Sequence, residues 1–307
     1  MKEYKQAARL MGNHFEITVV ASDEQTATDA INTGFNEIRR IEKLLTTFDD
    51  NSQVNQVNAR AGIDAVKVDR EVLELVKRSI RLSGITDGAF DITYGSIDKS
   101  LWNFDRSMTE LPDPDLARKM VRLINYRNVA VNDQDSTIML KEKGMRIGFG
   151  GIGKGYAAEK AKSLLQSTGI CGGIINASGD LATWGTDGEG RNWTVGISNP
   201  DNPAEVFSWL PLKEMAIATS GNYEKYVIIN GQKYSHTINP KTGLPVTGIK
   251  SVTIIAPNAE LADAMTTPVM IMGVKAGLNM INQIKGVACI LIDDHNKIYS
   301  SSNIHLQ

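Results

Sequence analysis

The spacing of apolar residues predicts strands and helices along most of the chain. Phe15, Ile17 and Val19 alternate with polar positions, which predicts a first strand from His14 to Val20. A helical repeat follows, and Ser22 is its expected N-cap. The apolar residues of this repeat, spaced three or four apart, form one face. They are Ala27, Ile31, Phe35, Ile38, Ile41 and Leu45.

Later segments continue this mixture of the two periodicities. Further helices are predicted over 70–82, 115–123, 155–166, 259–272 and 275–284. Further strands are predicted over 129–131, 137–140, 173–177, 193–198, 226–229, 233–237, 251–255 and 287–292. Asn230-Gly231 predicts a type I′ hairpin turn. Because hairpin strands are mixed with helices, we expect an α+β fold with a mixed or mainly antiparallel sheet flanked by helices. Residues 1–307 are interpreted as one large domain or two intimately packed lobes.

Composition and charge exclude several classes of protein. A net charge of −2 disfavours a nucleic-acid binder, and no apolar run is long enough to span a bilayer. The first residues contain no apolar signal segment and no lipidation cysteine, so the chain is expected to be soluble and to make no membrane contact. Cys171 and Cys289 lie in apolar runs and are expected to be buried thiols.

The glycine-rich segment 147–156 is the most informative chemical feature. Glycines at a strand-to-helix turn let the backbone approach an anion, and the helix N-terminus adds partial positive charge. The segment also matches the dinucleotide pattern, but no acidic residue stands at the expected strand end. It nearly matches a P-loop, but Gly155 replaces the Ser or Thr that holds magnesium, which disfavours a P-loop nucleotide hydrolase. Glycines that only permit tight helix packing remain an alternative.

Asp263 and Thr267 are four residues apart in a predicted helix, so their oxygens share one face. This spacing suits a hard cation such as Mg²⁺. The sequence is equally compatible with a structural role, in which Asp263 caps a helix turn and the Thr267 hydroxyl bonds to the carbonyl four residues earlier in its own helix.

Other polar and aromatic positions are weaker candidates. His236 ends a strand before a Pro-Lys-Thr-Gly turn, where active-site groups are often displayed. The runs 178–180 and 219–221 could be imagined as nucleophile loops, but no triad ordering accompanies them. The predicted loop 84–105 carries Phe90, Tyr94, Trp102 and Phe104, which could stack on a planar ring or fill a small satellite core.

Taken in order, these runs resemble the ApbE family of FAD:protein FMN transferases. The resemblance is collinear from Leu10–Thr18 to Leu261–Thr267 and covers most of the chain. The intermediate matches are Gly88–Asp91, Gly150–Tyr156, Asn176–Asp180, Ala218–Gly221, Tyr234–His236 and Asn239–Gly243. Each motif is short, but their common order is specific.

The resemblance implies magnesium-dependent cleavage of the FAD pyrophosphate, transfer of FMN to a threonine hydroxyl of a target flavoprotein, and release of AMP. It implies metal ligation by Asp263, Thr267 and the main-chain carbonyl of Gly153. It implies catalytic roles for His236 and Asp263. It implies FAD contacts at Met11, Phe48, Ala89, Phe90, Asp91, Gly150, Lys154, Tyr156 and Ile238.

The chain departs from the family pattern at two glycines. Gly148 stands where the family commonly has Asp, and Gly153 where it commonly has Ala. A magnesium-dependent FAD pyrophosphatase and a non-catalytic FAD-binding protein therefore remain alternatives. Members of the family are commonly periplasmic lipoproteins, so the resemblance implies an extracytoplasmic protein if an export signal has been removed.

Overall fold

The computed structural model describes residues 1–97, 100, 102, 108–198, 206–222 and 226–304. Its strands are β1 (Lys2–Leu10), β2 (Asn13–Ala21), β3 (Val66–Lys67), β4 (Val129–Asn132), β5 (Thr137–Leu140), β6 (Gly173–Ala177), β7 (Asp180–Trp184), β8 (Trp193–Ser198), β9 (Val206–Leu212), β10 (Ala216–Gly221), β11 (Tyr226–Ile229), β12 (Gln232–Ser235), β13 (Ile249–Ala256), β14 (Ala288–Asp293) and β15 (Ile298–Ser300). Its α-helices are α1 (Glu24–Leu45), α2 (Gln53–Ala59), α3 (Arg70–Ile85), α4 (Pro114–Met120), α5 (Gly153–Ser167) and α6 (Ala259–Ile281). Gly273 has φ 80° and breaks α6, so the two helices predicted there are confirmed with a kink between them.

An eight-stranded sheet forms the centre of the fold, in the order β1-β2-β6-β7-β10-β13-β14-β15. Neighbouring strands in this sheet are antiparallel. Smaller sheets are formed by β3-β5-β4, β8-β9 and β11-β12. The predicted α+β class is therefore confirmed. Among the described residues, no helix combines the length and apolar content that a bilayer crossing requires.

Alternate residues of the sheet enter two different cores. Ala218 and Ile254 belong to the main core, which also contains the buried faces of α1, α5 and α6. Ile217 and Ile255 belong to a second core with residues of β8 and β9. Because successive side chains of a strand point to opposite faces, the helices cover one face of the sheet and the β8-β9 hairpin covers part of the other.

The N-terminal strand β1 was not predicted from the sequence. It pairs with β2 along its full length, and Met11 (φ 51°) with Gly12 (φ 70°) makes the turn. Most residues of β1 are exposed, so the strand lacks the alternating apolar signal that identified β2.

The N-cap of α1 is Asp23, and the prediction of Ser22 is wrong. The Asp23 carboxylate accepts the N–H of Thr26 at 2.9 Å, while Ser22 only donates its hydroxyl to Asp23. A carboxylate at the N-terminus also complements the helix dipole. The six predicted apolar residues of α1 are all buried, which confirms its core-facing side.

The two runs considered as nucleophile loops lie at a turn and at a strand end of the central sheet. Ser178 (φ 53°) and Gly179 (φ 97°) form a tight turn, and Asp180 is the first residue of β7, opposite Ala177. Residues 219–221 end β10, which pairs with β13. The polar residues of these two runs interrupt the apolar alternation by which strands are recognised.

The predicted aromatic loop contributes to a satellite core. Trp102 is 2% exposed and clusters with Val227, Ile229 and Ile238, while Tyr94 packs against this cluster. Phe104 lies outside the described residues. Of the two cysteines predicted to be buried, Cys289 is, but Cys171 is exposed because it precedes β6 in the connection from α5.

Candidate functional site

A cavity of about 520 Å³ lies where segments from distant parts of the chain meet. One wall is the loop 89–97 and another is the segment 146–151. The remaining walls come from the end of β12 and from α6. The site residues predicted from sequence that line it are Ala89, Phe90, Asp91, Gly150, His236 and Thr267.

The loop of Asp91 is fixed by that residue's own carboxylate. One oxygen accepts the N–H and hydroxyl of Thr93 at 2.8 and 2.6 Å, and the other accepts the N–H of Tyr126 at 3.0 Å. Burial raises the pKa of Asp91, although these hydrogen bonds oppose the shift. Asp91 therefore shapes the cavity wall that contains Ala89 and Phe90.

The segment leading into the glycines is held at three consecutive residues. The Ser96 hydroxyl accepts the N–H of Arg146 at 2.8 Å and donates to its carbonyl at 3.1 Å. The Asn58 amide makes the same two bonds to Ile147, at 2.7 and 3.1 Å. The N–H of Gly148 donates to the carbonyl of Ile92 at 3.0 Å. The wall beside the cavity is thus fixed before any ligand arrives.

The glycines of this segment serve two different purposes. A Cβ built on Gly148 or Gly150 meets no atom within 4 Å, so these positions leave open space at the cavity. A Cβ on Gly155 would lie 2.1 Å from the carbonyl oxygen of Ala259, so this glycine is required for α5 to contact α6. The contact at Gly155 supports the packing interpretation for that glycine, and the open space at Gly148 and Gly150 is compatible with the cradle, which stays a prediction.

A buried acidic cluster joins α5, α6 and β7. Asp263 accepts the N–H of Gly155 at 2.9 Å, so its carboxylate sits at the N-terminus of α5. The Lys154 ammonium lies 2.5 Å from Asp180 and 3.4 Å from Asp263. One ammonium is therefore shared by two carboxylates that are 4% and 5% exposed.

These contacts shift the ionisation of the cluster. Burial, and then the charge of Asp263, raises the pKa of Asp180 above its ordinary value. Burial also acts to lower the pKa of Lys154, but the two carboxylates outweigh it and hold that pKa above its usual range. The first-turn N–H of Gly155 is already bonded to Asp263, which corrects the expectation that the helix N-terminus is simply open to an anion.

Asp263 and Thr267 lie one turn apart in α6, as their spacing predicted. The helix cap is Asn258, which accepts the N–H of Leu261, so the interpretation of Asp263 as a cap is wrong. Thr266, rather than Thr267, bonds back to the carbonyl of Asp263 at 2.9 Å. The Thr267 side chain lines the cavity.

His236 follows the last residue of β12 and is half-buried at the cavity wall. Its neighbour Thr237 donates its N–H to the Ser235 hydroxyl at 3.1 Å and also lines the cavity. A strand end therefore places His236 in the same cavity lining as the glycine segment.

Five predicted flavin contacts lie outside the cavity lining. The Phe48 ring is 99% exposed, next to the cavity-lining Thr47. Met11 lies in the β1-β2 turn, with its methyl group near Gly153. Ile238 is buried in the satellite core, and Lys154 in the acidic cluster.

Tyr156, the fifth of these residues, faces α3. Its hydroxyl donates to Glu71 at 2.6 Å, and the guanidinium of Arg78 lies 5.6 Å from its ring centroid. Burial and the bond to Glu71 raise its pKa.

One cavity-lining residue that the sequence analysis missed is Arg146. The sequence feature that could have identified it is a positively charged residue two positions before Gly148, the first glycine of the segment.

The predicted metal ligands form an oxygen donor set. Among the described residues, no three His, Cys, Asp or Glu side chains cluster as a metal site. One carboxylate, one hydroxyl and one main-chain carbonyl are instead the hard donors that suit Mg²⁺, which keeps several water or phosphate ligands. The acidic cluster carries one carboxylate more than its ammonium balances, so its charge also fits a cation.

Sequence comparison places this architecture in a family. The profile of the ApbE family matches residues 11–291. The chain belongs to the ApbE family. A FAD:protein FMN transferase of Klebsiella pneumoniae (strain 342) is 29% identical over 301 residues, which cover 97% of this chain and 92% of the relative. The FAD:protein FMN transferase of Treponema pallidum (strain Nichols) is 28% identical and covers 99% of this chain and 88% of its own.

Solved ApbE structures share the fold. The crystal structure of the ApbE protein from Thermotoga maritima superposes with a TM-score of 0.87 at 28% identity, over 98% of this chain and 97% of the other. The flavin transferase ApbE from Vibrio cholerae superposes with a TM-score of 0.84 at 23% identity, over 98% and 97% of the two chains.

Proposed function

We propose that this chain is a Mg²⁺-dependent FAD:protein FMN transferase, which attaches FMN to a threonine hydroxyl of a target flavoprotein and releases AMP. The observation that carries the proposal is the single cavity in which Ala89–Asp91, Gly150, His236 and Thr267 meet, although they are far apart in sequence. The names of the relatives, matched over most of both chains, support the same reaction.

The donor set supports the proposed metal. Asp263, Thr267 and the carbonyl of Gly153 would hold Mg²⁺, which would neutralise charge on the transferred phosphoryl group. In our proposal Lys154 and Gly155 keep the Asp263 carboxylate oriented through the contacts described above. In other metal sites, groups that hydrogen-bond to a metal ligand in this way fix the geometry of that ligand.

The proposed reaction exchanges one bond at the FMN phosphorus for another. The threonine oxygen forms a bond to the FMN phosphorus, the bond from that phosphorus to the bridging oxygen breaks, and AMP leaves with that oxygen. We assign His236 to accept the hydroxyl proton, because it lies at the cavity wall and histidine is the side chain that most often transfers protons in catalysis. The open positions at Gly148 and Gly150 leave room for the dinucleotide against the backbone.

The test is incubation with FAD and Mg²⁺, with and without a flavoprotein domain bearing an acceptor threonine. Intact mass and nucleotide analysis should show the acceptor heavier by one FMN, with AMP released, and EDTA should abolish both. FMN and AMP without acceptor labelling would instead indicate a pyrophosphatase. Intact FAD throughout would leave only a flavin-binding protein.

A further inference from the structure

Among the described residues that line the cavity, Arg146 is the one lysine or arginine. Its side chain is exposed, and it makes no ion pair with any described residue. Its guanidinium contact is with the amide oxygen of Asn55, at 3.4 Å. Lys154, the other cation of this segment, is engaged by Asp180 and Asp263. Within the described part of the cavity lining, the positive charge available to a ligand is therefore that of Arg146.

The backbone of Arg146 is held in place by its neighbours. The Ser96 hydroxyl bonds to both its N–H and its carbonyl, and the next two residues are fixed by Asn58 and Ile92. A side chain on a fixed backbone loses less freedom when it binds, so more of its interaction energy appears as affinity. Arg146 also stands two residues before Gly148, where the cavity wall is open.

We infer that Arg146 binds the pyrophosphate of the dinucleotide in this cavity and sets the preference of the site for FAD over unphosphorylated flavin. A guanidinium offers paired N–H donors that match phosphate oxygens. The carboxylate of Asp91, also in the lining, is occupied by Thr93 and Tyr126. The inference rests on the proposed function, since it assigns a phosphate contact to the same site.

The test compares the flavin affinities of purified wild type, Arg146→Gln and Arg146→Lys. Each affinity is measured by the quenching of flavin fluorescence on binding. Riboflavin, FMN and FAD carry none, one and two phosphates. Arg146→Gln should weaken FAD binding about tenfold or more, which is the usual effect of losing a hydrogen bond to a charged group, and leave riboflavin binding unchanged. Arg146→Lys should fall between wild type and Arg146→Gln, because it keeps the charge and loses the fork.

Arg39→Gln is the matched control, because Arg39 is also exposed, also bonds an asparagine, Asn36 at 2.8 Å, and lies on α1 outside the cavity lining. It should leave all three affinities unchanged. Unchanged FAD binding in Arg146→Gln would overturn the inference. An equal loss for riboflavin and FAD would also overturn it and would indicate stacking on the flavin ring. A wild type that binds no flavin would contradict the proposed function itself.

Discussion

The two ends of the glycine segment 148–155 meet different surroundings. At Gly148 and Gly150 an added side chain would enter open space beside the cavity. At Gly155 it would overlap the backbone of Ala259 and the side chain of Asp263. The first glycines leave room for a ligand, whereas the last lets α5 approach α6 closely enough for Asp263 to accept its N–H. A glycine-rich sequence can therefore combine a binding surface and a packing contact within eight residues.

The largest expected effect is at the packed end. Gly155→Ala should destabilise the fold by about 3 kcal/mol or prevent folding, because its Cβ cannot avoid the Ala259 carbonyl. Urea unfolding of Gly155→Ala and Gly148→Ala provides the comparison, and Gly148→Ala should stay within about 0.5 kcal/mol of wild type. Equal stability of the two variants would contradict the division of the segment.

Asp263→Asn should lower the rate of FMN transfer by more than about 100-fold, because a lost metal ligand removes several kcal/mol of charge stabilisation. Its amide oxygen can still accept the N–H of Gly155, so the fold should persist. Transfer rates at saturating FAD measure the effect, with circular dichroism as the check on folding. Asp180→Asn is the control, since it removes the same charge from Lys154 but no proposed ligand. A comparable loss in the control would indicate that cluster charge, and not ligation, matters.

At the open end, Gly150→Ala should weaken FAD binding about tenfold without changing the free energy of unfolding, since its methyl group enters the ligand space only. Fluorescence titration and urea unfolding measure the two quantities. Gly84→Ala is the control, because Gly84 is exposed on α3, outside the cavity lining, and its substitution should leave FAD binding unchanged. Loss of stability in Gly150→Ala with normal FAD affinity would reverse the assignment.

The smallest effect is expected at Tyr156. Tyr156→Phe should cost about 1 kcal/mol of folding stability through the lost bond to Glu71, which keeps its partner Arg40. FAD affinity should not change, because Tyr156 faces α3. A large drop in FAD affinity would instead support the flavin contact that family resemblance implied.

The sequence predicted most elements that have a clear apolar period and missed those that do not. The buried face of α1 and the Asn230-Gly231 turn, with φ 51° and 79°, are local features and were correctly predicted. The exposed strand β1, the short helix α2 and the polar strand β10 lack such a signal. β1 is held by pairing with β2 and β10 by pairing with β7 and β13, and the apolar periodicity of a single strand does not contain those partners.

The site was predictable in its chemistry and less so in its geometry. The spacing of Asp263 and Thr267 fixed their common face, because both lie in one helix. The contact between Lys154 and Asp180 joins residues in different elements, and the placement of Tyr156 against Glu71 depends on how α5 meets α3. Such contacts depend on how the elements pack. Some residues that matched a family motif therefore line the cavity, and others lie outside it.

The most direct measurement is a crystal structure of this chain with FAD and Mg²⁺. We expect flavin dinucleotide density in the cavity, in contact with Gly148 and Gly150, and a metal ion bound to Asp263 and Thr267. Density elsewhere would contradict this expectation. One such place is the open groove of about 800 Å³ lined by Glu16, Asn176 and Arg191.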